Sequence, residues 1–237
     1  MKRSLFLVLV AAVSLSLNTG CSEDTTSSPS PTPQARVLVV HASPDAPGVD
    51  LLVDNQKVNQ QPLTFPNNTG YLSVNAGTRN VKVNVAGTTT TVINADLPLE
   101  ANRNYSVFAI DSVSKITALV TNDDLTAPAA GKAHVRFIHL SPNAPAVDVS
   151  LVGQPAGQGL FTNRTFNTTI TAAQQAFTPV DAGTVNLEVR VAGTTTVALS
   201  LPNITLDAGK IYTIFARGFL GGTGAQELGA QIIVNNP

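Results

Sequence analysis

Two short stretches of the chain carry the same polar side chains at the same spacing. Both read His-x-Ser-Pro-x-Ala-Pro-x-Val-Asp, and the second begins 98 residues after the first. The three polar residues are His41, Ser43 and Asp50 in the first stretch and His139, Ser141 and Asp148 in the second. Ser, His and Asp are the residue types of a hydrolase relay, and His with a carboxylate can also ligate a metal ion. These stretches, called the corners below, are the first candidates for chemistry.

A hydrolase needs more than these residue types. Its nucleophile stands on a strand–turn–helix elbow or beside a glycine-rich loop that supplies an oxyanion hole. Here each Ser directly precedes a Pro and lies two residues from the His, without either feature. We therefore predict no catalytic residues. The expected role is structural: Ser and Asp bond the backbone of their own turn, and His ties the corner to the next strand.

Metal or small-ligand binding at the corners is the alternative. Each corner offers one His and one carboxylate, whereas a zinc site needs three or four ligands. His134 adds an imidazole only in the second copy. Calcium is the better metal candidate, with oxygens from Asn122-Asp123-Asp124, although acidic linkers are usually just solvated. The sequence predicts no metal site and no cofactor.

The corners must sit between β-strands. Each has two prolines three residues apart, which lack the backbone N–H that a sheet requires. Residues 80–85 alternate apolar and polar side chains, as do most of residues 185–191, which indicates strands buried on one face. The longer apolar runs at 37–40 and 211–215 predict central strands. About seven strands per copy, without helical periodicity, favour immunoglobulin-like antiparallel β-sandwiches.

The repeat extends beyond the corners. Val-Ala-Gly-Thr-Thr-Thr occurs at 85–90 and again at 191–196, and the spacing between matching residues grows because the second copy has an insertion near 157–177. We predict an all-β protein with two tandem sandwich domains, each with its own core. The predicted ranges are 36–125 for the first copy, 126–132 for a linker and 133–237 for the second copy.

The N-terminal residues have the pattern of a targeting signal. Lys2 and Arg3 precede an uncharged run at 4–17 that is too short to span a bilayer, and the chain's single cysteine, Cys21, follows. This arrangement resembles a bacterial lipoprotein signal, in which the Cys is lipidated and becomes the mature N-terminus. We expect a signal peptide at 1–21, a flexible Ser/Thr/Pro-rich tether at 22–35, and a lipid-anchored protein of the bacterial cell envelope, at the outer membrane.

Charge and aromatic content narrow the choice of partners. Without the signal peptide, 12 basic and 15 acidic residues remain, and no basic run exists, so nucleic acid is not expected as a partner. The expected membrane contact is the lipid anchor alone, and an envelope protein or polysaccharide is a candidate partner. Sugar platforms usually need exposed aromatic rings, and the chain has no Trp and three Tyr. Tyr71 is the one candidate for an exposed ring, whereas Tyr105 and Tyr212 are predicted core residues with a bonded hydroxyl.

The corner motif, with Gly70-Tyr71-Leu72-Ser73-Val74 and Ala76-Gly77-Thr78, resembles the bacterial and archaeal domain of unknown function 4397. The resemblance covers nearly all of 36–123 and most of 133–235, and the second copy departs from it at 175–180. It implies a secreted or lipid-anchored protein, often with tandem domains, and no established activity. We therefore expect a non-enzymatic envelope protein whose modules act as spacers or as binding or adhesion units. The alternative is a small-ligand or metal-binding envelope protein that uses the corners.

Overall fold

The computed structural model describes residues 32–236, which belong to one compact unit. The predicted signal peptide, the lipidation site Cys21 and most of the tether lie outside the described residues. Within residues 32–236, no helix is both long enough and apolar enough to cross a membrane.

Strands account for most of the described chain, which confirms the predicted all-β class. In the first half they are β1 (Gln34–His41), β2 (Val49–Val53), β3 (Gln56–Lys57), β4 (Asn68–Asn75), β5 (Gly77–Val85), β6 (Thr91–Leu99), β7 (Asn104–Ile110) and β8 (Thr117–Asn122). In the second half they are β9 (Lys132–His139), β10 (Val147–Leu151), β11 (Phe161–Arg164), β12 (Thr178–Asp181), β13 (Gly183–Val191), β14 (Val197–Leu206), β15 (Ile211–Arg217) and β16 (Gly229–Val234). Among residues 32–236, the helical segments are α1 (Ala172–Gln175) and two 3₁₀ turns, Val113–Lys115 and Gly224–Gln226.

The strands form four sheets of four strands each, in two sandwiches. Sandwich 1 consists of an inner sheet, β4-β1-β7-β8, and an outer sheet, β3-β2-β5-β6. Sandwich 2 has the matching inner sheet β12-β9-β15-β16 and outer sheet β11-β10-β13-β14. In both, the proline corner carries the chain from the inner sheet to the outer one, because its prolines end the pairing of the first strand.

One strand pair in each sandwich departs from the expected antiparallel pairing. β1 runs parallel to β7, with Val37 opposite Tyr105, and β9 runs parallel to β15, with Val135 opposite Tyr212. The chain passes through the outer sheet between these strands, and such a long crossover permits parallel pairing. The other strand pairs within the four sheets are antiparallel.

Each sandwich encloses its own apolar core between its two sheets. The alternating strand β5 sends Val81 and Val83 into the first core, and β13 sends Leu187 and Val189 into the second, as the period-two pattern predicts. Slipping either strand by one residue would expose these side chains, each of which stabilises the fold by about 1.5–3 kcal/mol when buried. The hydrophobic pattern therefore fixes the register.

A third apolar cluster joins the two sandwiches. In β1, Val37 and Val39 face the core of sandwich 1, whereas Leu38 and Val40 belong to a cluster shared with sandwich 2. We call this cluster the sandwich interface; its buried members are Leu38, Val40, Ala42, Phe108, Ile110, Leu119, Ile138, Leu140, Phe215 and Ile233. Both faces of the inner sheets are thus covered, which explains why β1 and β15 are apolar at consecutive positions. The two cores are not independent of one another.

Tyr105 and Tyr212 hold the connections that precede β7 and β15. The Tyr105 hydroxyl accepts the backbone N–H of Glu100 at 3.1 Å, and the Tyr212 hydroxyl accepts that of Asp207 at 2.9 Å. Both rings are buried, so the predicted core role with a bonded hydroxyl is confirmed. The arrangement resembles the tyrosine corner of immunoglobulin-like sandwiches, in which a hydroxyl bonds backbone a few residues upstream.

Candidate functional site

The two corner histidines are fully buried and bonded to the backbone of their own corners. Nε2 of His41 lies 3.0 Å from the Pro47 carbonyl oxygen, and Nε2 of His139 lies 3.0 Å from that of Pro145. A carbonyl can only accept, so Nε2 carries the hydrogen in both rings and Nδ1 is the unprotonated nitrogen. Burial is the largest effect on these imidazoles, and it lowers the pKa of both His41 and His139.

The two serines differ in their partners. The Ser141 hydroxyl donates to the Gly218 carbonyl at 2.7 Å, and its backbone N–H donates to Nδ1 of His139 at 3.3 Å. Ser43 is equally buried, but no hydrogen-bond partner within residues 32–236 reaches its hydroxyl or Nδ1 of His41. The polar groups of the second corner therefore have more hydrogen-bond partners than those of the first.

The two aspartates hold the hairpin turn between the long outer strands. Asp50 accepts the Gly87 N–H at 3.0 Å, and Asp148 accepts the Gly193 N–H at 2.9 Å. These glycines have φ near +72° and belong to the repeated Ala-Gly-Thr turn, so the turn and the corner are retained together. The other carboxylate oxygen, Oδ1, has a different partner in each copy.

Oδ1 of the corner aspartate meets a charged side chain in the first copy and a backbone amide in the second. Asp50 forms an ion pair with Lys57, with 2.7 Å between Oδ1 and Nζ, whereas Asp148 accepts the Asn163 N–H at 2.7 Å. The hydrogen bond from Lys57 lowers the pKa of Asp50, and the Gly87 amide acts in the same direction. Asp50 is thus held as a carboxylate by Lys57 and the Gly87 amide, and both side-chain oxygens of Asp148 accept backbone N–H groups.

This geometry does not assemble a Ser-His-Asp relay at either corner. The Nε2–H of each His is bonded to a proline carbonyl, and each Asp is bonded to the glycine turn and, for Asp50, to Lys57. Within the described part of the chain, no group of three or more His, Cys, Asp or Glu side chains is placed to hold a metal ion. At both corners the arrangement locks a turn.

One corner position differs between the copies, and the difference preserves its contact. Asp45 accepts the Val113 N–H at 2.8 Å, and its counterpart Asn143 accepts the Leu220 N–H at 2.8 Å. The Asn143 amide also donates to the Leu220 carbonyl at 3.0 Å, which a carboxylate cannot do. Both residues fasten the corner to the connection between the last two strands of their inner sheet.

A buried polar cluster that sequence reasoning missed lies between the sandwiches. Asp123 and Arg136 form an ion pair at 2.7 Å with both side chains fully buried. Oδ1 of Asp123 also accepts from Thr121 at 2.8 Å, and Oδ2 accepts from Ser106 and Tyr71, each at 2.5 Å. The calcium candidate Asn122-Asp123-Asp124 is therefore wrong for Asp123, whose oxygens are already bonded within the fold.

Tyr71 is also placed differently from expectation. Its ring is half-buried at the sandwich interface, and its hydroxyl accepts from the Asn235 amide at 3.2 Å while donating to Asp123. Burial and the neighbouring carboxylate raise the pKa of Tyr71. It is not a free aromatic platform for a sugar.

The insertion of the second copy covers the ion pair. The Gln175 side chain, at the end of α1, accepts the Asn122 N–H at 3.0 Å, and the Phe177 ring stacks on the Arg136 guanidinium at 4.5 Å. The sequence did hold a signal for this cluster. Arg136 is a charged residue inside an apolar strand, at the position where the first copy has Leu38.

An apolar crevice of about 80 Å³ adjoins the second corner. It lies against one edge of the sandwich 2 core, and His139, Pro145 and Val147 contribute to its lining together with Ala198 and Leu220. Leu220 is half-exposed beside it. This crevice at the second corner could take a small apolar group.

The fold and these corners define a class of protein: paired β-sandwiches whose proline corners are locked by buried His and Asp side chains. Residues 35–150 match the family model described as Domain of unknown function (DUF4397), which confirms the resemblance seen in the corner motif. The match covers the strands of sandwich 1 and continues through the second corner to Ser150 in β10. The search of curated proteins gave no match.

Removing a corner histidine should destabilise the protein. In His41→Ala the Pro47 carbonyl loses its donor, and in His139→Ala the Pro145 carbonyl and the Ser141 amide lose partners. An unsatisfied buried polar group costs about 1–3 kcal/mol, so each variant should melt several degrees lower. Thermal melts measured with and without zinc or calcium check this, and His134→Ala, which alters the one histidine outside the corners, is the control.

The structural interpretation of the corners predicts no effect of either cation on the parent melt. A His41→Ala variant that melts like the parent, together with a parent that a cation stabilises, would contradict it, because only a bound ligand adds stability by mass action.

Since the sandwiches share a buried interface, we expect the thermal melt of the parent to show one cooperative transition rather than two.

Acid should weaken the fold through the same histidines. Burial lowers their pKa below the ordinary 6.5, so in the unfolded chain they take up protons at a pH where the folded rings remain neutral. Their contribution is complete above about pH 6.5 and is lost as the pH falls from there toward the folded pKa. Urea unfolding between about pH 7 and 5 measures this. The double variant His41→Gln/His139→Gln should show a shallower loss of stability, and an unchanged slope would contradict the assignment.

Proposed function

We propose that this protein is a non-enzymatic, lipid-anchored protein of the bacterial cell envelope, at the outer membrane, whose paired sandwiches serve as a spacer or as a binding or adhesion unit. The observation that carries the proposal is the state of the corner residues. The polar side chains that both copies retain are buried, and their main partners are backbone groups of the fold. Because the residues kept in both copies serve the fold, the role of the module is expected to depend on its shape and its surface.

The sandwich interface gives further support to a mechanical role. Ten buried apolar side chains and a buried ion pair join the two halves of the described chain. Two domains on a flexible linker would move separately, whereas this contact makes them a single rigid module. The Ser/Thr/Pro-rich residues 22–35 would then hold that module away from the membrane.

Anchoring is tested by changing Cys21 in the full-length protein. Cys21→Ser removes the thiol that a lipid would modify, so we expect release from the membrane fraction or accumulation of an uncleaved precursor. Fractionation of cells and the mass of the mature N-terminus measure both outcomes. The neighbouring Ser22→Ala should stay in the membrane and be processed. Unchanged retention of Cys21→Ser with normal processing would contradict the anchor.

The alternative function is binding of a small apolar ligand in the crevice beside His139. It rests on the apolar lining and the half-exposed Leu220 at this corner. Dry apolar cavities in proteins take up molecules such as benzene or xenon.

A thermal melt with an apolar probe separates the two functions. On the first proposal, benzene leaves the melting temperature of the parent unchanged. Ala198→Leu, which places a larger side chain in the crevice lining, is the matched variant. A rise in melting temperature for the parent but not for Ala198→Leu would favour the ligand-binding alternative, since binding to the folded state alone stabilises it.

A further inference from the structure

The sandwich interface is built from equivalent positions of the two copies. Phe108 in β7 and Phe215 in β15 occupy matching places, and their rings meet edge to face with centroids 6.1 Å apart. Each sandwich also makes the same hydrogen bond at this face: Ser106 donates to Asp123 in the first and Thr213 donates to Asn235 in the second, the latter at 2.7 Å. Contacts between matching residues are the mark of a two-fold, self-complementary interface.

Two substitutions break this symmetry. Opposite Ser106 stands Leu38, and opposite the matching Thr213 stands Arg136. The acceptor of the shared hydrogen bond is a carboxylate, Asp123, in sandwich 1 and a neutral amide, Asn235, in sandwich 2. Sandwich 1 thus contributes a buried negative charge to the face and sandwich 2 a buried positive one.

The charges fit only one combination of faces. Arg136 reaches across to Asp123 at 2.7 Å and to Ser106 at 3.3 Å, and its Nε donates to Thr213 at 2.8 Å. If two copies of sandwich 1 met through this face, each Asp123 carboxylate would face Leu38. If two copies of sandwich 2 met, each Arg136 would face the neutral Asn235. Either pair would bury charges without a counter-charge, which is strongly unfavourable.

We propose that the inner-sheet faces form a selective pairing surface, on which sandwich 1 accepts sandwich 2 and rejects a second copy of itself. The apolar residues around Phe108 and Phe215 supply the attraction, and the Arg136–Asp123 pair decides the partner. This selectivity would prevent two copies of the protein in the same membrane from pairing sandwich 1 with sandwich 1, or sandwich 2 with sandwich 2. The proposal does not depend on what the assembled module binds.

The test uses the whole protein cut at its linker. Ala129 and Ala130 are exposed and lie between Asp123 and Arg136 in the chain. A protease site placed between these two alanines allows the folded chain to be cleaved into two halves of different mass. The cut protein is unfolded in urea, diluted to refold, and examined by native mass spectrometry, which distinguishes the mixed pair from both like pairs in one spectrum. We expect the mixed pair to exceed each like pair by at least about tenfold.

Matched variants assign the selectivity to the charges. Arg136→Leu combined with Asp123→Asn gives each face the neutral residues of the other copy, so the halves should still associate but all three pairs should form. Arg136→Leu alone should reduce the mixed pair, because Asp123 loses its counter-charge. Like pairs in comparable yield from the unsubstituted protein, or halves that fail to associate after refolding, would overturn the proposal. A double variant that still formed only the mixed pair would overturn the role of the charges.

Discussion

The inner sheets of this protein are buried on both faces, and the rest of the structure depends on that arrangement. One face of each inner sheet closes the core of its own sandwich, and the other meets the partner sandwich. A fully buried side chain such as Phe108 or Leu140 contributes about 1.5–3 kcal/mol, so the ten apolar residues of the interface dominate its stability. The two sandwiches form one unit because separating them would expose this surface to water.

The buried Arg136–Asp123 pair has a different role from the apolar residues. Removing two charges from water costs roughly as much as their attraction returns, so a buried ion pair adds little net stability. Its value lies in direction and discrimination, since each charge tolerates only a partner of the opposite sign. The surrounding donors Thr121, Ser106 and Tyr71 complete the carboxylate's hydrogen bonds, and Phe177 covers the guanidinium. The insertion of the second copy therefore covers the buried Arg136 guanidinium. The first copy has the apolar Leu38 at the matching position, where there is no charge to cover.

The corners show how a motif with catalytic residue types can be used entirely for folding. A chain that leaves the inner sheet through two prolines exposes carbonyls that the sheet can no longer satisfy. His41 and His139 supply the missing donors, while Asp50 and Asp148 reach the glycine turns of the outer sheet. The histidine contacts fix the corner where the chain crosses between the two sheets, and the aspartate contacts fix the neighbouring turn of the outer sheet. The repeat of the motif follows from the repeat of this mechanical problem, and the same residues would be needed whatever the surface of the protein binds.

The sequence by itself determined the all-β class, the repeat, the register of β5 and β13 and the placement of Tyr105 and Tyr212, because these follow from local alternation and from turn residues. It also located both corners, since paired prolines exclude a strand wherever they occur. The tertiary structure alone decided the parallel pairing of β1 with β7 and of β9 with β15, because periodicity carries no information on which strands become neighbours. It likewise decided the partners of Asp123 and Tyr71, which lie far apart in the chain and meet only when both sandwiches are complete. The charged Arg136 within an apolar strand was visible in the sequence, but its counter-charge became known only from the packing of one sandwich on the other.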